Sequence, residues 1–230
     1  MIDKVISTAV KLWLRSQTQQ SENLQVTIAG SNSQILRGYL PQVGLTCSQA
    51  VYQGLHLSQI ELTGINLAFN VTEVVKKRQP LRLLEPIDVE LVVLLTAADL
   101  QASLASSILS NGLTDFFLNW LTTSQSDRSQ LNLNDFRMNW SSITIAGGKL
   151  NLQGTLIDTT GTTIELQIAS GLSLSDGHKL LLSPLQIITT PKLPVNFEDS
   201  LKINLGEVAI AELAIQSDKI WCSGKITVLP

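Results

Sequence analysis

The sequence predicts an α+β fold in which a long curved antiparallel meander sheet wraps around a central helix, with an amphipathic helix at the N-terminus. Three observations carry that expectation. Most of the 230 residues fall into short segments that alternate apolar and polar side chains, the period of strands. The stretch Ile87 to Leu121 changes from that period to a helical one and then changes back. Residues Ile2 to Arg15 repeat apolar positions at helical spacing.

In chain order, Ile2, Val5, Ile6, Ala9, Val10, Trp13 and Leu14 form one apolar stripe, with Lys4, Lys11 and Arg15 toward the other side. Such a helix packs on a sheet or lies at a membrane surface among anionic head groups. A polar spacer, Ser16 to Asn23, leads into alternating runs at Leu24 to Ile28, Ile35 to Leu40, Val43 to Cys47, Leu55 to Leu62 and Ile65 to Val71. Gly44, Gly54 and Gly64 punctuate them and read as bulges or bends that let a long sheet curve. The segment from Lys76 to Pro86 concentrates Lys76, Lys77, Arg78 and Arg82 among Leu81, Leu83 and Leu84. It reads either as a solvated loop or as a loop that docks on a membrane.

The hinge stretch follows. Ile87, Val89, Leu91 and Val93 alternate with polar neighbours, and Thr96-Ala97-Ala98-Asp99 is a capping pattern that starts a helix near Ala97. Leu100, Leu104, Ile108 and Leu109 continue it, and Asn111-Gly112 reads as its stop. A second short helical run then carries Phe116, Phe117, Leu118, Trp120 and Leu121. Beyond a polar linker at Ser124 to Ser129, strands resume from Leu131. Gly147-Gly148, Thr160-Gly161 and Asp176-Gly177 mark turns between them. Phe197 to Leu205 is expected to begin with a helical turn at Glu198-Asp199. Val208 to Ile215 and Ile220 to Val228 close the chain as strands, in one domain spanning residues 1–230.

Composition narrows the function. Hydrophobic residues are 44% of the chain and charged residues 15%, against an average of roughly 25% charged. Such a chain hides its aliphatic surface or keeps some of it for an apolar partner. A net charge of -3 argues against nucleic acid, which needs a concentrated basic face. No apolar run is long enough to span a bilayer as a helix, and charges at Asp3, Lys4, Lys11 and Arg15 interrupt any signal sequence. The expected location is the cytoplasm, with peripheral membrane association. Cys47 and Cys222 are too few for a disulfide framework or a metal site. They read as buried thiols, with one disulfide as the alternative. His56 and His178 are the only imidazoles and read as surface residues, and no nucleophile-elbow, zinc-protease or phosphate-loop spacing occurs. No catalytic residue, metal ligand or cofactor is therefore assigned, and the protein is read as not an enzyme.

The order of elements resembles that of the LmeA-like phospholipid-binding proteins. The likeness rests on Leu95-Thr96-Ala97-Ala98-Asp99-Leu100, on Leu36-Arg37-Gly38 with the glycine-punctuated strands through Leu67, and on the closing Leu213 to Ile215 and Ile220 to Gly224. In organisation the chain is also similar to the wider tubular lipid-binding superfamily, in which a long curved sheet wraps a helix and leaves an apolar tunnel. The resemblance implies a phospholipid or other acyl-chain ligand and transient contact with a membrane surface, and it names no protein partner. Proteins of this type are generally exported, whereas no export signal is read here.

The charge-poor strands suit such a ligand, because an apolar cavity needs aliphatic walls and little directed polar chemistry. The expected function is a peripheral lipid-binding or lipid-transfer protein that holds acyl chains between sheet and helix. The alternative is a non-catalytic structural or protein-interaction module with a filled core. The candidate cavity walls are Phe69, Leu91, Val93, Leu100, Leu104, Ile108, Phe116, Phe117 and Trp120. The candidate docking residues are Trp13, Lys76, Lys77, Arg78, Leu81, Arg82, Leu83 and Leu84.

Overall fold

The computed structural model describes residues 20–76, 82–124, 136–157, 159–189, 196–205 and 208–230. The amphipathic segment Ile2 to Arg15 lies outside them. The chain runs β1 (Gln20–Ala29), α1 (Asn32–Leu36), β2 (Tyr39–Tyr52), β3 (Leu55–Ala68), α2 (Val71–Val75) and β4 (Ile87–Thr96). Then come α3 (Ala97–Ser103) and α4 (Ser107–Ser124). The second half is β5 (Arg137–Ala146), β6 (Lys149–Ile157), β7 (Thr163–Asp176), β8 (Lys179–Thr189), β9 (Asn196–Asn204), β10 (Ala209–Gln216) and β11 (Lys219–Val228).

These strands do not make one sheet around a helix. They form a six-stranded sheet of order β1-β2-β3-β4-β11-β10 and a five-stranded sheet of order β5-β6-β7-β8-β9, both antiparallel. Among the described residues strands far outweigh helices, which leaves too little helix to serve as the axis of a wrapped sheet. The physical reason lies in the closing strands. Instead of extending the second meander, β10 and β11 return so that β11 pairs along the whole of β4, from Lys219 opposite Thr96 to Val228 opposite Ile87. That pairing satisfies the exposed edge of β4 and leaves the second meander as a sheet of its own.

The local readings hold at several points. Thr96 caps α3 with a complete capping box, its hydroxyl accepting from the Asp99 amide while the Asp99 carboxylate accepts from the Thr96 amide at 2.8 Å. Gly147 and Gly148 both take positive φ, +59° and +71°, as a two-residue hairpin between β5 and β6 requires. Two readings fail. Asn111-Gly112 does not stop a helix, since α4 runs through it and the break falls earlier, at residues 104–106. An exposed glycine inside a helix costs about 1 kcal/mol, which the burial of Phe117, Trp120 and Leu121 further along outweighs at roughly 1.5–3 kcal/mol each. The helical turn expected at Glu198-Asp199 is strand β9. Its pairing with β8, with Phe197 opposite Ile187 and Asp199 opposite Leu185, overrides the local preference.

Among the described residues three apolar clusters form. The largest joins Leu100 of α3 and Phe117, Trp120 and Leu121 of α4 to the inner residues of the five-stranded sheet, with Ile220 of β11 among them. The second gathers Ile35, Leu40, Leu67, Phe69, Val71, Ile87 and Val89 at one end of the six-stranded sheet, beneath α1 and α2. The third is Leu45, Cys47 and Ala50. The sheets meet at α3, where Ser103 Oγ accepts from the His56 amide of β3 and Gln101 bonds Ser141 and Ile143 of β5. They meet again where the β7–β8 hairpin receives the Ile210 amide of β10 on the Gly177 carbonyl at 2.8 Å.

Candidate functional site

The antiparallel register of the six-stranded sheet determines which side chains share a face, because residues directly opposite one another point the same way. Leu45 lies opposite Leu62, Leu62 opposite Leu91, and Leu91 opposite Gly224. One step along, Cys47 lies opposite Ile60, Ile60 opposite Val93, Val93 opposite Cys222 and Cys222 opposite Leu213. Two adjacent cross-strand rows are thus apolar throughout. The other face carries Thr46, Gln59, Glu61, Thr63, Asp88, Glu90, Lys225 and Thr227, with Ile65, Val92, Leu94, Ala214 and Trp221 among its apolar members.

The cover over the apolar face is uneven. One end is packed by the cluster beneath α1 and α2, and the other by the helices and the five-stranded sheet. Leu91 and Val93, at its middle, belong to none of the three clusters and stay half-buried beside Cys222 and Gly224, while the half-buried Ile60 and Leu62 pack against the third cluster. Among the described residues no helix of the protein seals this stretch.

The nine expected cavity residues fall in four places. Leu100, Phe117 and Trp120 are buried in the largest cluster, with Leu104 and Phe116 packed against it. Phe69 belongs to the second cluster, bridged to Leu83. Leu91 and Val93 sit between, while Ile108 is exposed on α4. The fold therefore joins five of the nine around one cluster and separates the rest. Ile60, Leu62, Cys47 and Cys222 join the apolar rows although the sequence reading did not assign them to a site. The alternation in each strand was visible, but the pairing of β11 with β4 that aligns them is not a property of any local segment.

Of the docking residues, Lys76 and Arg82 are exposed and Leu84 is 58% exposed. Leu83 is half-buried against the second cluster. Trp13, Lys77, Arg78 and Leu81 lie outside the described residues.

A separate polar pocket of about 560 Å³ is lined by Glu22, Gln49, His56, Ser58 and Asp99 beside Ala50, Val51 and Leu57. Burial pushes the Asp99 carboxyl up, but hydrogen bonds from Ser58 and Thr96 and the neighbouring His56 together hold it below the ordinary range. Ser58 Oγ donates to that carboxylate rather than to an imidazole. Among the described residues no group of three or more His, Cys, Asp or Glu is placed to hold a metal ion. Cys47 and Cys222 are free, and burial pushes both thiols up.

Fold and face together define a two-sheet β protein with a half-covered aliphatic surface and little polar chemistry on it. The chain belongs to the LmeA-like phospholipid-binding family, whose sequence model matches residues 1–220. No curated protein and no solved structure matches it. Among the described residues no helix is long and apolar enough to cross a membrane.

Proposed function

We propose that the protein is a peripheral lipid carrier that lays the acyl chains of a phospholipid along the apolar face of its six-stranded sheet, over Leu91 and Val93. The observation that carries this reading is the half-buried middle of that face, where Leu91 and Val93 of β4, between Ile60 and Leu62 of β3 and Cys222 and Gly224 of β11, belong to none of the packed clusters. A folded chain keeps such a surface at a cost, since each CH₂ moved out of water yields about 0.8 kcal/mol. An acyl chain of about sixteen carbons placed there gains on the order of 12 kcal/mol before the cost of immobilising it. Membership of a phospholipid-binding family points to the same ligand. Transfer follows if the loaded protein docks transiently on membranes through its basic, leucine-containing segment.

Native mass spectrometry of protein purified without detergent tests the reading. A phospholipid mass added to the chain, exchanged when labelled lipid is supplied, is the expected result. A bare chain that takes up no fluorescent lipid removes the proposal and favours a filled-core interaction module.

A further inference from the structure

Large apolar side chains are exposed at one pole of the six-stranded sheet, and the fold brings them there from three separate stretches of sequence. Leu36 ends α1 and is 49% exposed, and Tyr39 opens β2. Leu84 precedes β4, and Leu229, 71% exposed, follows β11. Backbone hydrogen bonds tie these stretches together. The Phe69 amide donates to the Gly38 carbonyl at 2.7 Å, and the Leu84 amide donates to the Ala68 carbonyl at 2.9 Å. Tyr39 pairs with Ala68, and Val228 with Ile87.

Cations surround the same pole. Arg37, Lys76 and Arg82 are exposed, and none of them forms an ion pair with another described residue. The acids alongside are Glu73, Glu85 and Asp88, of which Asp88 accepts from Thr227 at 3.0 Å. Between Arg82, Leu83 and Leu84 on one side and Val228, Leu229 and Pro230 on the other lies a groove of about 460 Å³, with Asn70 at its margin. Leu83 and Val228, which line it, also pack against the second cluster, and that cluster continues through Val89 onto β4 and the apolar face.

We infer that this pole is the surface that docks on a membrane, that the membrane it prefers is anionic, and that the groove beside Arg82 is the portal through which a lipid tail passes. The inference rests on the lipid-holding reading for the portal alone; the docking surface stands by itself. Exposed Leu and Tyr side chains enter the interfacial layer, while Arg37, Lys76 and Arg82 meet phosphates at the depth of the head groups. A guanidinium at the rim of an apolar groove holds the phosphate of a lipid whose tail has entered it, since its fork matches two phosphate oxygens.

Co-sedimentation of the full chain with vesicles of phosphatidylcholine alone and with phosphatidylglycerol added tests it. Two paired variants at exposed positions are needed, Leu84→Asp with Leu229→Asp and Arg37→Glu with Arg82→Glu. Wild-type protein binds the phosphatidylglycerol vesicles at least about tenfold more tightly than the zwitterionic ones, and each pair lowers that binding about tenfold or more. Circular dichroism and urea midpoints stay at the wild-type values in both, since all four positions are exposed. Unaltered vesicle binding in the two variants overturns the inference, as does equal wild-type binding to both vesicle types. Wild-type protein that carries no lipid yet needs these residues for anionic vesicles removes the carrier reading and upholds the docking surface.

Discussion

Cys47 and Cys222 stand in one cross-strand row, separated by Ile60 and Val93 across four adjacent strands. Three strand spacings put them about 14 Å apart, beyond the reach of a disulfide. The row makes them native reporters on the apolar face, one at its packed flank and the other at its half-covered middle.

Thiol labelling is therefore expected to report lipid. Burial raises both thiols, so the reactive thiolate forms only as the pH climbs above the ordinary thiol range, and labelling at neutral pH is slow. Lipid laid over Val93 should slow Cys222 further, by about tenfold, with Cys47 less affected. Stopped-flow disulfide exchange on stripped and lipid-loaded protein measures it. Identical Cys222 rates in the two states would mean that the lipid lies elsewhere.

Replacing Leu91 by Asp puts a carboxylate in the middle of the face without removing any cluster residue. Lipid uptake is expected to fall about tenfold or more, while the fold loses only about 1–2 kcal/mol, because the position is half-buried. Fluorescent-lipid titration beside urea unfolding separates the two effects. Undiminished uptake would place the ligand away from β4.

Phe117 and Ile108 lie on the same helix but have opposite surroundings, the first fully buried and the second 43% exposed. Phe117→Ala should cost about 3–5 kcal/mol and Ile108→Ala less than about 1 kcal/mol. Chemical denaturation of the two variants checks that α4 buries one face against the five-stranded sheet. Comparable losses would point instead to a helix enclosed on all sides.

Asp99 links capping to pH. Its carboxyl is held below the ordinary range, so ionised Asp99 stabilises the fold above the unfolded-state value, and that contribution disappears as the pH falls through the lower folded-state value. Asp99→Asn should cost about 1 kcal/mol at neutral pH by weakening the cap and the bond to Ser58. The deficit should shrink below about pH 4. A deficit that is constant from neutral to acid pH would show that charge plays no part.

The sequence by itself determined most of the local structure. Alternation drew the strands, the Thr96–Asp99 pair drew the start of α3, and the double glycine at 147–148 drew a hairpin, because each depends on neighbours within a few residues. Local preference misled where a partner strand intervened, as at Glu198-Asp199, and where packing further along a helix outweighed a poor helix former, as at Gly112. The order of elements, with the short stretches Leu95–Leu100, Leu36–Gly38, Leu213–Ile215 and Ile220–Gly224, sufficed for the family. What only the tertiary structure decided is that two sheets form instead of one, and that Leu91, Val93, Ile60, Leu62 and Cys222 share a half-covered face. That depends on β11 returning across more than a hundred residues to pair with β4, and the free energy of such pairing resides in the register of distant strands rather than in any segment of the chain.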